Sequence, residues 1–252
     1  MSAYFWTSLV LGGGFALLFA LEADGDVERS VNRRRRWTTN FGLGAIGFAI
    51  AALLPVSTLV AASWSRAAGL GLEAHLAMAA AVALAVLLVT RSFAAYWLHR
   101  AMHAHPLLWR LHRVHHADAE LDVSSGLRNH PIEQLVGLAL AVAISAALAP
   151  ASAVVLAVDA LLLMAAFWQH ADVRLPAPAA SVAERLFVTP RYHRLHHDAA
   201  AGAASGNYGD MFTLWDRLFG TERRPDGSDV VVGIADAPRD GLLIQLASPL
   251  RR

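Results

Sequence analysis

Three short stretches of this 252-residue chain concentrate side chains able to do chemistry. His112, His115 and His116 stand in LWRLHRVHH (108–116), and His193, His196 and His197 repeat the spacing in RYHRLHH (191–197), about eighty residues later. His99 and His103 form a pair four apart in HRAMH (99–103). On a helix, residues three or four apart share a face, with Cβ atoms about 6 Å from one another. Imidazole suits zinc, copper, iron and nickel. Eight clustered imidazoles exceed what one ion needs. At about four to six ligands per ion, eight to ten donors make a natural set for two. Neutral imidazoles leave the charge of such a pair uncompensated, which favours anionic or reduced oxygen species as further ligands. One such box alone would equally suit a membrane-surface or pH-sensing histidine cluster; three boxes together favour metal.

The flanking residues say how the boxes are held. Pro106 disfavours helix at His105, so the helix carrying the first box should end there. Pro106 can then open the next helix as its first residue. Thr189 and Pro190 frame the third box the same way, as N-cap and first helical position. SVAE (181–184) has the capping-box pattern and predicts another short helix starting at Ser181.

Composition sets the surroundings. The chain is 56% hydrophobic and only 16% charged, with a positive mean hydropathy, against about 45–50% and 25% for soluble domains. A membrane is the expected solvent. There is no cysteine, which excludes disulfides, thiolate and iron–sulfur sites and a cysteine nucleophile. All basic residues are arginine, and the formal charge is +1. That balance argues against a nucleic-acid binder. Abundant alanine with arginine in place of lysine points to a GC-rich, bacterial source.

Apolar stretches near 20 residues mark candidate spans. They run over about 4–21, 41–64, 74–98, and twice within 134–168. The first lacks a basic flank and reads as a retained anchor, not a cleaved signal. Pro55 predicts a kink or a re-entrant hairpin in the second. Pro150, in LAPAS (148–152), predicts a turn that folds 134–168 into a helical hairpin. Arginine counts place the loop with Arg29 and Arg33 to Arg36, and every histidine box, on the cytoplasmic side. The resulting expectation is an all-α integral membrane protein. About five spans, with the N-terminus outside, carry a cytoplasmic histidine-rich helical cap. Residues 1–98 would be N-terminal transmembrane helices, 99–221 the histidine-box region with the hairpin 134–168, and 222–252 a cytoplasmic tail. In that tail VVVGI (230–234) could be a short strand or a loop, and GLLIQLASPLRR (241–252) a membrane-surface helix. Arg91 and Asp159 lie inside spans, where charges are costly and usually paired. They stand eight residues before His99 and eleven before His170, roughly 12–17 Å below the metal end of their helices. We expect them to pair. The alternative has Arg91 snorkelling and Asp159 lining a lipid pocket.

The motifs YWLHRAMH (96–103), LWRLHRVHH, HPIE (130–133), QHADVRLP (169–176), VTPRYHRLHH (188–197) and NYGDMFTLWDRLFGT (207–221) resemble those of the fatty acid hydroxylase / sterol desaturase superfamily of membrane di-iron oxygenases. RRRRWTTNFGL (33–43) resembles the family's approach to its second span. The likeness covers roughly residues 30–220. It implies two iron ions held by histidines, O2 as co-substrate and a membrane lipid substrate. It implies hydroxylation or desaturation of a lipid C–H bond in a fatty acyl chain, sterol or hopanoid, carotenoid or ether lipid. Electrons would come from a separate ferredoxin- or cytochrome-type donor with its reductase. By position it makes His99, His103, His112, His115, His116, His193, His196 and His197 ligands, with His170 beginning the segment where the family places another. His130 would be a ligand or would support one. Asp118, Glu133, Asp198 and Asp210 are candidates to hydrogen-bond ligand imidazoles. Asn207 and Tyr208 should shape the last helix junction; His75 and His105 fit no box. Where the family often has an acidic residue seven before the first histidine, this chain has Ser92.

Phe93, Tyr96, Phe167 and Trp168 are candidates to line a lipid cavity, with ordinary packing or interfacial anchoring an equal reading. Two rivals come from other classes. A metal transporter would place its ligands within the spans, and here they follow them. A zinc lipid hydrolase would need an open coordination position and a nearby Glu base, and no His-Glu-x-x-His occurs.

Overall fold

The computed structural model describes residues 3–23, 33–200, 206–225, 230–234, 236–237 and 240–250. Its regular elements are all helical: α1 (Ala3–Ala23), α2 (Arg33–Leu53), α3 (Thr58–Ala67), α4 (Leu72–His75), α5 (Ala80–Ala104), α6 (Pro106–His116), a 3-10 turn (Val123–Leu127), α7 (Pro131–Leu148), α8 (Ser152–His170), α9 (Ala177–Ala183), α10 (Pro190–His196), α11 (Leu214–Leu218) and α12 (Leu242–Ala247). Among the described residues four stretches are long and apolar enough to cross a membrane: Arg33–His75, Ala80–Ala104, Pro131–Leu148 and Ser152–His170; a shorter apolar stretch of α1, Leu9–Glu22, precedes them. This is a multi-pass membrane protein.

The 131–170 hairpin is the scaffold. Ala149 caps α7 in the left-handed region (φ 50), and Pro150 follows it. α8 then returns to the end where α7 began. α5 and α3 pack on the hairpin through a core of Ala62, Ala83, Leu87, Val154, Val155 and Val158. α1 packs against α8 through Leu18 and Phe167. Pro55 interrupts the second span after Leu53, and the break is a bend. Thr58 donates to Asp159 (2.7 Å), Ser63 meets Ser152, and Arg66 reaches the carbonyl of Ala149. These contacts descend α8 towards the hairpin turn, so α3 continues away from the histidines in the direction of α2. The second span starts earlier than its apolar run suggests, at Arg33, because the arginine run forms the first turn of α2.

Arg91 and Asp159 form the expected ion pair, tying α5 to α8. Thr58 adds α3 to the same carboxylate. Removing one partner from such a pair leaves the other charge uncompensated in a poor solvent, at about 3–5 kcal/mol when fully buried. Asp159→Asn and Arg91→Gln should therefore each lower the unfolding midpoint in detergent, and the double variant should be no worse than either. Additive losses would contradict the pairing.

One expectation needs correction. The helix near SVAE starts at Ala177, with Ser181 inside it and Glu184 at its C-cap, because Pro178 in the first turn opens it earlier. Phe93 and Tyr96 pack against Trp215 and Phe219, Phe167 packs on Phe15, and Trp168 donates to the carbonyl of Val188. This is the packing alternative that the sequence left open for them. The C-terminal helix is α12, which packs on α2 and buries Gln245 while leaving Leu243 exposed. VVVGI is a loop with a single bridge, Val232 to Asp198. Arg29 and the loop 24–32 lie outside the described residues.

Candidate metal centre

The cap is built so that helix ends deliver imidazoles to one place. α5 ends at Ala104, His105 turns extended, and Pro106 opens α6. Thr189 caps α10 by accepting from the N–H of Tyr192 (3.2 Å), with Pro190 first in the helix. α8 brings His170 as its last residue. Nine histidines converge in two adjoining groups. His99, His103, His112, His116 and His196 form one; His115, His170, His193 and His197 form the other. Within each group the nearest available nitrogens lie within 4.8 Å of one another. The His116 and His197 rings stack between the groups at 4.4 Å. All nine are buried except His99, which is half-buried.

Tautomers follow from the partners. A carbonyl or carboxylate oxygen accepts only, so a ring nitrogen facing one carries the proton. His99 Nδ1 donates to Tyr208 O (2.9 Å), His112 Nδ1 to Glu133 Oε1 (2.7 Å) and His115 Nδ1 to Arg128 O (3.2 Å). His170 Nδ1 donates to Ala166 O (2.6 Å) and His196 Nδ1 to Gly206 O (2.8 Å). On each neutral ring Nε2 is therefore a lone pair. Yet His99 Nε2 lies 3.1 Å from His112 Nε2, and His170 Nε2 lies 3.1 Å from His115 Nε2. Two facing lone pairs repel. A proton between them would put an imidazolium in a buried site. A cation relieves both problems: nitrogens in cis positions at about 2.1 Å from one ion stand about 3 Å apart. In the His170 group His193 Nε2 lies 3.0 Å from His170 Nε2 and 3.1 Å from His197 Nε2, and in the other the buried His116 Nε2 has no protein partner. The donor set fits two metal ions.

Burial, reinforced by neighbouring imidazoles, holds His115, His116, His193, His196 and His197 well below the usual histidine range. In the metal-free chain these rings stay neutral when folded but take up protons when unfolded, below about pH 6.5. The unfolded state then binds more protons, so stability rises with pH. Chelator-treated protein should show a thermal midpoint that falls as pH drops below about 6.5. A midpoint independent of pH would contradict neutral, buried rings.

The supporting residues divide. Glu133 holds His112. The Asp118 carboxylate is spent away from the imidazoles; its Oδ2 accepts from Arg36 (3.0 Å), Asn40 (3.0 Å) and Ser125 (2.7 Å), which ties α2 to the loop after the second box. Asp198 pairs with Arg223 (3.1 Å). Asp210 accepts from Ser92 Oγ (3.0 Å), which also takes the Trp215 N–H; burial pushes its carboxyl up to about 6. The carboxylate missing at position 92 is thus supplied to that spot by Asp210. His130 joins neither group. Its Nδ1 caps α7 by accepting from Ile132 N–H, so Nε2 carries the proton towards Leu246 O, and both nitrogens are committed.

Several residues that hold the site had no assigned role in the sequence. Arg128 is fully buried, donates to Val114 O, Asn40 and Asp240, and presents its own carbonyl to His115. Arg36, fourth in the arginine run, is buried and pairs with Asp118 and Asp122. Asp216 is the largest omission. Its carboxylate accepts from the N–H of Tyr208 (2.7 Å), the N–H of Gly209 (2.8 Å) and Thr221 Oγ1 (2.7 Å). It fixes a tight turn whose Gly206 and Tyr208 carbonyls orient His196 and His99. Asn207 takes φ 52 there and is held by Tyr192 O and by Arg223 N–H and O. A Cβ at Gly206 (φ 72) would stand 2.7 Å from Thr221 O. Thus Asn207 and Tyr208 do shape this junction, and WD in WDRLFGT locks it.

The pattern of the Fatty acid hydroxylase family matches residues 84–221, more than half of the chain. The chain belongs to this family. Among its relatives is the ornithine lipid hydroxylase OlsE of Rhizobium tropici, 33% identical over 66% of this chain and 49% of that protein. The alkylglycerol monooxygenases of Danio rerio and Homo sapiens are 31% and 28% identical, over 55% and 51% of this chain and 30% and 28% of theirs. The matched region spans half or less of each relative. No solved structure matches the chain at a significant level. These relatives are, by name, hydroxylases and monooxygenases.

Proposed function

We propose that this chain is a di-iron lipid hydroxylase, inserting one oxygen atom of O2 into a C–H bond of a polar membrane lipid. The balanced reaction is R–H + O2 + 2 electrons + 2 protons giving R–OH + H2O. The observation that carries this reading is the pair of lone-pair contacts inside two all-histidine groups, which needs cations at both. Iron bound there would supply O2 reduction, with electrons from a separate ferredoxin- or cytochrome-type donor and its reductase.

The chain's own residues perform the rest. The nine histidines, His99, His103, His112, His115, His116, His170, His193, His196 and His197, are the proposed ligands. Glu133, Ala166 O, Arg128 O, Gly206 O and Tyr208 O fix their tautomers, so that Nε2 faces inward on the five rings they hold. The neutral donor set leaves the site cationic. Burial keeps bulk water away from a reactive centre. The ends of α5 and α8 put the site at one bilayer face, so a lipid can reach it without crossing water. Arginine placement puts that face in the cytoplasm of a bacterial cell.

Ligands gathered at span ends, not along the spans, disfavour a transporter. A nine-imidazole set with its one close carboxylate, Glu133, spent on His112 disfavours a zinc hydrolase. The relatives act, by name, on an ornithine lipid and on alkylglycerols, which favours hydroxylation of a polar lipid over desaturation. The test is lipid profiling of cells with and without the gene, grown under isotope-labelled dioxygen. One labelled oxygen gained by a polar lipid is the expected result. Unchanged lipids in cells that make metal-loaded protein, or an alkene in place of an alcohol, would overturn it.

A further inference from the structure

At the cap ends of α1, α2 and α8 lies a cavity of about 850 Å³, within the usual range for ligand sites. None of the nine histidines lines it, and the oxidation chemistry leaves it unused. Because it sits where three apolar helices end, it lies at the depth of the lipid headgroups.

Its lining carries charges of both signs, among them Arg33, Arg36 and Arg174 and Glu22, Glu120 and Asp122. Around the single guanidinium of Arg36 stand three carboxylates, Asp118, Glu120 and Asp122. Glu120 is the loosest, 3.7 Å from Arg36 Nε and with a third of its side chain exposed. Elsewhere in the lining Arg191 and Arg194 are matched by Glu184 and Asp172. Arg174 is exposed and, among the described residues, makes no ion pair or hydrogen bond. Leu121, Val173, Leu175 and Val232 supply apolar wall between these charges. A free cation, a loosely held carboxylate and apolar wall complement a molecule with an anion, an ammonium and a hydrocarbon part. The same cavity adjoins the second histidine group: Ala171 follows His170, and Pro190 opens the helix that bears His193.

We infer that this cavity holds the zwitterionic headgroup of a lipid, its phosphate or carboxylate on Arg174 and its ammonium on Glu120. That the held lipid is the one oxidised rests on the proposed hydroxylase; the binding itself does not.

The test is native mass spectrometry of the full chain in detergent. The probes are dioleoyl phosphatidylethanolamine, dioleoyl phosphatidylglycerol, dioleoylglycerol and free phosphoethanolamine, with iron measured on the same samples. Phosphatidylethanolamine should be retained about tenfold better than the neutral and the purely anionic lipid, the size of one charge-assisted contact. Arg174→Gln should remove most of the preference over dioleoylglycerol, and Glu120→Gln most of the preference over phosphatidylglycerol while sparing phosphatidylglycerol binding. Both positions are partly or fully exposed, so folding should survive, as unchanged elution in gel filtration would show. Equal retention of all lipids, an undiminished preference over dioleoylglycerol in Arg174→Gln, or binding of free phosphoethanolamine without the lipid would each overturn the inference. Lipid preference in protein that takes up no iron would leave the inference standing and sink the hydroxylase reading.

Discussion

His115→Ala and His196→Ala each strip metal from the protein and lower turnover by more than about 100-fold. Loss of a hydrogen bond to a ligand costs about 10–100-fold in affinity or activity, and loss of the ligand itself costs more. The two substitutions address different groups. His115 belongs with His170, His193 and His197, and His196 with His99, His103, His112 and His116. Each variant should first lose the ion of its own group, so metal per chain should fall towards half before the second ion leaves. Removing an imidazole also removes one of the repelling nitrogens, so the metal-free His115→Ala chain should unfold at a temperature no lower than metal-free wild type. Full metal content and turnover in either variant would mean that the boxes are structural.

The second large effect comes from a residue that touches no histidine. Asp216→Asn keeps shape and removes charge, but offers only one acceptor oxygen where three donors converge. The Tyr208 and Gly209 N–H groups then lose their fixed partner. The turn relaxes, and with it the carbonyls that hold His99 and His196. Metal affinity should fall about 10–100-fold, mainly at the first group. Asp216→Glu, which restores the charge at a slightly different reach, should recover part of it. A role in stability alone would lower the unfolding midpoint without changing the metal dissociation constant of the folded protein, and that outcome would contradict the positioning role.

The histidine spacing made the site largely readable. Periodicity of three and four put each box on one helix face, and Pro106, Thr189 and Pro190 placed the helix starts. Even the Arg91–Asp159 pair followed from counting residues below the boxes. The supports were hidden for a physical reason. Four of the five Nδ1 acceptors are not side chains chosen for charge: three lie on Tyr208, Arg128 and Gly206, remote in sequence from their histidines, and one on the preceding helical turn at Ala166. A backbone carbonyl carries no sequence signal of its own. Asp118, Asp198 and Asp210 looked like imidazole partners because they stand beside boxes in the chain. The fold instead spends them on Arg36, Arg223 and Ser92, each brought from a distant element. The four arginines at 33–36 carried a topology signal that masked the inward turn of Arg36. The role of the aromatic residues near the boxes stayed open in the sequence because they serve equally as lipid contacts and as packing; the 208–219 segment, folding back over α5, packs on Phe93 and Tyr96.

The central claim is that the two histidine groups hold two irons. The most direct measurement is metal content per chain of detergent-purified wild-type protein, after anaerobic loading with ferrous iron and removal of loosely bound metal. The account predicts about two irons per chain, the count two separate histidine groups require. A single zinc per chain that ferrous iron does not displace, or no retained metal at all, would contradict it.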